Sequence, residues 1–315
     1  MTSAAAVLAQ AVRTGLVDAS AALAGVVTVT RIDGSNPVLR LARDGRPVAF
    51  VKGTGEAALL NGEDTVARER AVVSRLAASG TAPRALPQGT PHELWLSAVE
   101  GRSLAELSQS GDVGALSEAF ASVGVALAGL HRLRAGSSTP AMDLPWPMRD
   151  ALPPHMHSAR HHEVPARVLE TAADLADVTV AAKAAWRADG WAHGDVSATN
   201  VLVGPDGARL IDWESAGRGD PSWDLAGARV VAGLVATGWS DLAWRRLHAA
   251  YRAAGGPAPE PAHALWCVRL LVAAYQQAVG VLVGGGTPDA DGSVTTLLDQ
   301  ARRAAGAHRR ECAHA

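Results

Sequence analysis

Residues 191–203 read WAHGDVSATNVLV and place two oxygen-bearing side chains, Asp195 and Asn200, directly before an apolar strand. Aspartate and asparagine are poor strand formers that favour turns and loops. The pattern therefore predicts a loop that presents a carboxylate and an amide oxygen, with β structure behind it for rigidity. Such oxygen groups suit a metal ion such as Mg²⁺ or a polar substrate.

A second informative stretch, ARLIDWESAGRGDPSWDLA, covers residues 208–226 and places Asp212 directly after an apolar strand. The linker Gly204-Pro205-Asp206-Gly207 joins this strand to the VLV strand and predicts a hairpin. The hairpin would bring Asn200 and Asp212 to the same end of the strand pair, as ligands suited to Mg²⁺. Asp195 lies in the preceding loop and is free to face a different atom.

Lysine usage is a third signal, because Lys52 and Lys183 are the two lysines among 29 basic residues. Where arginine dominates, a retained lysine points to a need for a compact ammonium group. Lys183 lies in a helical pattern and is predicted to be a solvated surface residue. Lys52 ends the strand PVAFVK, where it could clamp phosphate oxygens if a helix glutamate held it. Glu69 is the candidate partner, although an exposed charge pattern would look similar.

Strands and helices that position these residues fall into two blocks. Alternating apolar residues predict three antiparallel strands within 26–52, and a helix and a further strand follow at 65–79 and 92–101. From there the chain is mainly helical, with an irregular connection over 135–164 and a helix over about 165–188. We therefore expect an α+β fold with two lobes, a small β-rich one at 1–98 and a larger α-rich one at 99–315. A cleft between two such lobes is a common ligand site.

These motifs together resemble the aminoglycoside phosphotransferase/choline kinase-like family of the protein-kinase-like fold. The similarity runs nearly end to end and rests on GSN (34–36), FVK (50–52), Glu69, the hinge at 98–101, HGDVSATN (193–200), LIDWE (210–214) and GDPSWDLA (219–226). HGD and IDWE favour this family over typical protein kinases, and so does Ser197, where those enzymes usually carry lysine. The chain departs from the family in its reduced glycine turn and in Ser197, which replaces histidine or glycine.

The resemblance implies an ATP- and Mg²⁺-dependent transfer of phosphate to a hydroxyl group. It implies that Asp195 is the catalytic base and that Asn200 and Asp212 hold the metal. His193 belongs to the same catalytic loop, where the resemblance implies a bracing role. The residues implied to contact the nucleotide are Lys52, Glu69, Ser35, Asn36, Ala98, Val99 and Glu100. For Ser35 and Asn36, a plain hairpin turn is the alternative. Asp220 and Asp224 are expected to tie the loop and cap a helix, and Glu214 is an additional candidate contact.

Composition limits the cellular setting and the partners. A net charge of −2 gives no bulk attraction for nucleic acid, and the two cysteines form no metal or disulfide pattern. The first 20 residues predict an amphipathic helix, not a signal peptide, and uninterrupted apolar runs stay shorter than a membrane span. We therefore predict a cytoplasmic protein that binds neither nucleic acid nor membranes.

The acceptor is less constrained by the sequence. Residues 256–315 contain five acidic and five arginine residues, which disfavours a polycationic aminoglycoside and favours a neutral or anionic hydroxylated small molecule. The FVKG stretch is also compatible with a kinase that phosphorylates serine or threonine of a precursor peptide for elimination by a partner lyase. A third alternative is a kinase-like scaffold that has lost catalysis.

Overall fold

The computed structural model describes residues 3–32, 37–54, 64–87 and 90–314. The strands of its N-terminal part are β1 (Val27–Ile32), β2 (Val38–Arg43), β3 (Arg46–Gly53), β4 (Ala85–Leu86) and β5 (Glu93–Ser97). Within the described residues they form an antiparallel sheet in the order β1-β2-β3-β5-β4. The three strands predicted over 26–52 are confirmed, whereas the strand predicted over 92–101 ends at Ser97.

Helices cover this sheet and complete its core. The predicted N-terminal amphipathic helix is present as α1 (Ala4–Arg13), which ends before the predicted residue 20. Together with α2 (Ala19–Leu23), it buries apolar side chains against β1, β2, β3 and β5. The predicted helix at 65–79 is α3 (Thr65–Leu76), followed by a 3₁₀ turn. The Asp64 carboxylate caps α3 by accepting from the Ala67 N–H at 2.9 Å. The buried residues of α3 recur at helical spacing and include Glu69.

The rest of the chain is mainly helical. Its helices are α4 (Leu104–Gln109), α5 (Val113–His131), α6 (Glu163–Asp174), α7 (Ala176–Ala185), α8 (Pro221–Val235), α9 (Ser240–Ala253), α10 (His263–Val283) and α11 (Ser293–His314). The single helix predicted over 165–188 is wrong, because the chain leaves helical geometry at Leu175 (φ −105°, ψ 23°). That residue is buried between the two helices, so tertiary packing overrides the continuous helical pattern.

Short strands interrupt this helical part where the predicted catalytic loop lies. They are β6 (Arg102–Ser103), β7 (Gly190–Ala192), β8 (Val201–Gly204), β9 (Gly207–Leu210) and β10 (Gly217–Gly219). Strands β8 and β9 form the predicted hairpin, β6 pairs with β8, and β7 pairs with β10. The loop between β7 and β8 is therefore anchored by a strand at each end.

Among the residues that the structure describes, two helices, α5 and α10, are long and apolar enough to cross a membrane by length and composition. Half of each apolar segment is nevertheless buried inside the protein. Helix α5 packs on α9, and α10 packs on α11, α8 and α7. Their apolar faces thus form the two cores of the helical part.

Gly124 marks the closest approach of α5 to α9. A Cβ atom there would lie 2.2 Å from the Leu247 carbonyl oxygen, whereas a Cβ at Gly129, on the same helix, would meet nothing within 4 Å. We expect Gly124→Ala to lower the free energy of unfolding by about 1–3 kcal/mol through overpacking. We expect Gly129→Ala to raise it by roughly 0.5–1 kcal/mol through helix propensity. Urea denaturation of both variants checks this, and equal stability of the two would contradict the close packing.

Candidate active site

The β8–β9 hairpin sets the positions of two predicted metal ligands. Val201 pairs with Leu210, and beyond this pair the Ile211 N–H donates to the Asn200 carbonyl oxygen at 2.9 Å. Asn200 therefore enters the hairpin at the end where Asp212 leaves it, as the sequence predicts. Asp212 adopts a left-handed backbone conformation (φ 65°), which turns the chain sharply after β9.

Within the loop, Asn200 holds the carboxylate of Asp195. The Asn200 Nδ2 donates to Asp195 Oδ2 at 2.9 Å and to the Asp195 carbonyl oxygen at 3.2 Å. Because the amide nitrogen is used in this way, the Asn200 Oδ1 is directed elsewhere and can accept another partner. Asn200 is buried, whereas the Asp195 side chain is 29% exposed. The loop thus presents a fixed carboxylate that solvent and solutes can reach.

Lys52 links the sheet, helix α3 and the hairpin through a three-way ion pair. Its Nζ lies 2.7 Å from Glu69 Oε2 and also contacts Asp212 Oδ1. The other oxygen of Glu69 accepts from the Trp213 N–H at 3.1 Å. Burial opposes the charge on Lys52, but the two carboxylates outweigh this effect and raise its pKa. The ammonium group therefore stays protonated between two anions.

Glu214 is the third carboxylate at this edge. Burial, followed by repulsion from Asp212, raises the pKa of Glu214 to about 7, although the charge of Lys52 opposes this. Carboxylate oxygens of Glu69, Asp212 and Glu214 lie within 4.8 Å of one another. This concentration of negative charge would attract a cation in addition to the lysine.

Asp224, on helix α8, supports the loop that contains Asp195 and Asn200. Its fully buried carboxylate accepts from the backbone N–H groups of His193 (2.7 Å) and Gly194 (2.9 Å), and it lies 3.1 Å from Nε2 of His131. Burial opposes ionisation of Asp224, but these hydrogen bonds and the nearby histidines lower its pKa. Gly194 has φ +85°, and a Cβ there would lie 2.6 Å from the Ser215 carbonyl oxygen. A buried anion and a glycine thus fix the entry to the loop.

We expect Asp224→Asn to lower the free energy of unfolding by about 2–4 kcal/mol. The asparagine NH₂ group is a donor, and it would face a backbone N–H of His193 or Gly194 that needs an acceptor. Asp112→Asn is the control at another helix cap. Exposed Asp112 caps α5 by accepting from the Ala115 N–H at 2.9 Å, and asparagine caps equally well. Guanidinium denaturation measures both variants. If Asp224→Asn is as stable as Asp112→Asn, Asp224 does not support the loop as described.

The remaining predicted residues lie in different surroundings. His193 is fully buried, with Nε2 3.0 Å from the Ile211 carbonyl oxygen and its ring edge-on to Trp213. It therefore ties the loop to the segment at the end of β9, which fits a bracing role. Residues 98–100 run from β5 towards Gly101 and β6, and the Ala98 N–H donates to the Val48 carbonyl oxygen at 3.1 Å. The predicted contacts at Ser35 and Asn36 lie outside the described residues.

Sequence reasoning missed Arg269 of α10. This arginine is 3% exposed, and its Nη2 lies 3.6 Å from Asp195 Oδ1 and 3.1 Å from the Val196 carbonyl oxygen. It also missed His131 and Tyr251, whose side chains continue the Asp224 network at 3.0 Å from each other. A charged residue inside the apolar run LWCVRLLVAAY is the signal that could have revealed Arg269, because buried charges need partners.

The structure has a two-lobed α+β architecture. A lysine on β3 is paired to a helix glutamate, and a loop with an aspartate and an asparagine precedes a hairpin. This is the architecture of protein-kinase-like phosphotransferases. The model of the phosphotransferase enzyme family, APH, matches residues 32–279, and the chain belongs to this family. The predicted family and fold class are therefore confirmed. No curated protein matches the chain.

Solved structures share the fold at low sequence identity. Aminoglycoside phosphotransferase APH(3'')-Id from Streptomyces rimosus, in complex with ADP and streptomycin, is 22% identical (TM-score 0.57; 84% of this chain and 97% of that chain). Choline kinase LicA from Streptococcus pneumoniae is 14% identical (TM-score 0.60; 94% and 99%). Macrolide 2'-phosphotransferase MphH from Brachybacterium faecium is 19% identical (TM-score 0.53; 93% and 97%).

Proposed function

We propose that this protein is an ATP- and Mg²⁺-dependent kinase that transfers the γ-phosphoryl group to a hydroxyl of a small molecule. The observation that carries the proposal is the meeting of the Lys52–Glu69 pair with Asp212, at the same end of the β8–β9 hairpin as the Asp195–Asn200 loop. Residues 1–98 would form the nucleotide-clamping lobe and 99–315 the catalytic lobe. The cytoplasm, which supplies ATP, is the proposed location.

Each group has a role that its surroundings support. Lys52, kept charged by its two carboxylates, would bind the α/β-phosphates of the nucleotide. Asp195, partly exposed and oriented by Asn200, would accept the proton of the acceptor hydroxyl. His193 would brace the loop from within the core. Ser35, Asn36 and the segment Ala98–Glu100 are proposed nucleotide contacts on the strength of the resemblance.

Magnesium fits the donors that the site offers. Asn200 directs its oxygen away from Asp195, Asp212 is one-third exposed, and both supply the oxygen ligands that this ion prefers. These two residues would hold the ion, which when bound neutralises charge on the phosphate oxygens. Glu214 places a further carboxylate oxygen at the same edge.

A neutral or anionic acceptor is favoured by the charges of the C-terminal helices. All five acidic residues that follow residue 255 already have polar or charged partners. These pairs are Glu260 with Trp244 and Arg229, Asp289 with Arg167, Asp291 with the Ser293 N–H, Asp299 with Arg302, and Glu311 with His263. Carboxylates that are used in this way offer little to a polycation, which disfavours an aminoglycoside.

The proposal is tested by thermal shift with Mg·ATP, followed by ATP consumption with pooled sugars, amino alcohols, aminoglycosides and Ser/Thr peptides. We expect stabilisation by Mg·ATP and stimulation by one small-molecule pool. Stimulation by peptides alone would favour a precursor-peptide kinase that works with a partner lyase. Absence of both stabilisation and turnover would overturn the proposal and favour a kinase-like scaffold.

A further inference from the structure

Arg269 stands out among the described side chains because it brings a buried positive charge to the catalytic loop from a distant helix. Its guanidinium group lies 3.6 Å from Asp195 Oδ1, while Nη2 donates to the Val196 carbonyl oxygen and Nη1 to Gln276 Oε1 at 3.3 Å. The Asp195 oxygen on its other side, Oδ2, is held by Asn200. Both carboxylate oxygens of the proposed base therefore have a fixed neighbour.

The space around this arginine is shaped to receive it. A Cβ atom on Gly227 of α8 would lie 3.1 Å from Arg269 Nε and 3.2 Å from the Val196 carbonyl oxygen, so a larger residue there would crowd both groups. The ring of Trp223, also on α8, has its centroid 5.2 Å from the guanidinium carbon. Glycine and tryptophan one helical turn apart thus make a slot between α8, α10 and the loop.

A buried guanidinium needs nearby anions, and Asp195 and Asp224 provide them. Burial lowers the pKa of Arg269, and the two aspartates oppose that effect. Hydrophobic residues of similar volume would fill the slot at lower desolvation cost, so packing alone does not account for a charge at this position.

We propose that Arg269 is a positioning residue that fixes the Asp195 carboxylate and the backbone at Val196 in the orientation needed for phosphoryl transfer. This inference deepens the proposed function and rests on it. Asn200 restrains one oxygen from within the loop, and Arg269 restrains the other from α10. Loss of the second restraint would leave the carboxylate free to rotate about its side-chain torsions, and displacements of about 1 Å at a reacting group lower rates by about 10²-fold.

Arg269→Gln and Arg269→Lys test the proposal, with Arg229→Gln as the matched control. Arg229 also lies over a tryptophan, Trp266 at 3.8 Å, but its carboxylate partner is Glu260 and not the loop. Steady-state kinetics would use the acceptor pool that stimulates the wild-type protein. We expect Arg269→Gln to lower kcat by about 10²-fold with an unchanged KM for ATP. Arg269→Lys, which keeps the charge, should recover part of kcat, and Arg229→Gln should match the wild type.

Hydrogen exchange of the 193–200 backbone amides supplies a readout that needs no acceptor. Faster exchange in Arg269→Gln, but not in Arg229→Gln, supports the positioning role. Unchanged exchange together with a kcat within threefold of the wild-type value would overturn it. If Arg269→Gln does not fold, Arg269→Lys decides: a kcat and loop exchange equal to the wild type would contradict the need for the guanidinium fork. If the wild-type protein shows no turnover, the proposed function is overturned instead. The hydrogen-exchange result for the loop does not depend on turnover.

Discussion

Asp195→Asn is expected to lower kcat by about 10²–10⁴-fold, the usual contribution of a general base. The side chain keeps its shape and its amide oxygen can still accept from the Asn200 Nδ2, so the loop should retain its conformation. What is lost is the proposed acceptor of the hydroxyl proton, together with the negative charge that faces Arg269. Affinity for Mg·ADP, measured by calorimetry, should therefore stay within a few-fold of the wild-type value while turnover falls.

Asp206→Asn is the control for this experiment. Asp206 is an exposed aspartate in the turn between β8 and β9, the hairpin that follows the loop of Asp195. It should have the turnover of the wild-type protein. An Asp195→Asn protein that keeps more than about a tenth of the wild-type kcat would be incompatible with the base role, given the smallest contribution usually found for such a group.

Lys52→Met is expected to lower kcat/KM for ATP by at least about 10²-fold, since a preorganised charge on the phosphates is lost. It should also lower the free energy of unfolding by about 3 kcal/mol, because buried Glu69 is left without its countercharge. Chemical denaturation and steady-state kinetics on the same preparation measure both effects.

Two further variants separate these effects. Adding Glu69→Gln to Lys52→Met removes the uncompensated charge, so stability should partly return while activity stays low. Lys183→Met changes the second lysine of the chain, whose partner Asp150 is almost fully exposed, and should alter stability by less than about 0.5 kcal/mol. If Lys52→Met resembles Lys183→Met in both measurements, Lys52 is not the phosphate clamp.

Local sequence patterns predict those parts of the site whose residues lie near one another in the sequence. The hairpin between Asn200 and Asp212 follows from turn chemistry and strand alternation over a dozen residues. Glu69 is a candidate partner of Lys52 in the sequence because it lies on the predicted helix that follows the lysine strand, and it is one of the buried residues of α3. The resemblance to a known family then supplied the roles that spacing alone left open.

Contacts between helices that are distant in the sequence could not be predicted from local patterns. Arg269 meets Val196 across 73 positions, and Tyr251 meets His131 across 120. Such pairs depend on how α5, α9 and α10 pack, and no local pattern encodes that packing. The break at Leu175 has the same origin, since both flanking segments have good helical periodicity and tertiary burial decides where the chain turns.

The doubly bound carboxylate of Glu69 has a consequence for how nucleotide would be received. One oxygen is bonded to Lys52 and the other to the Trp213 N–H, so Glu69 joins α3 both to β3 and to the segment that follows β9. Contacts within the protein therefore hold this lysine in place, and under the proposed function phosphate binding would not include the entropic penalty of ordering a helix.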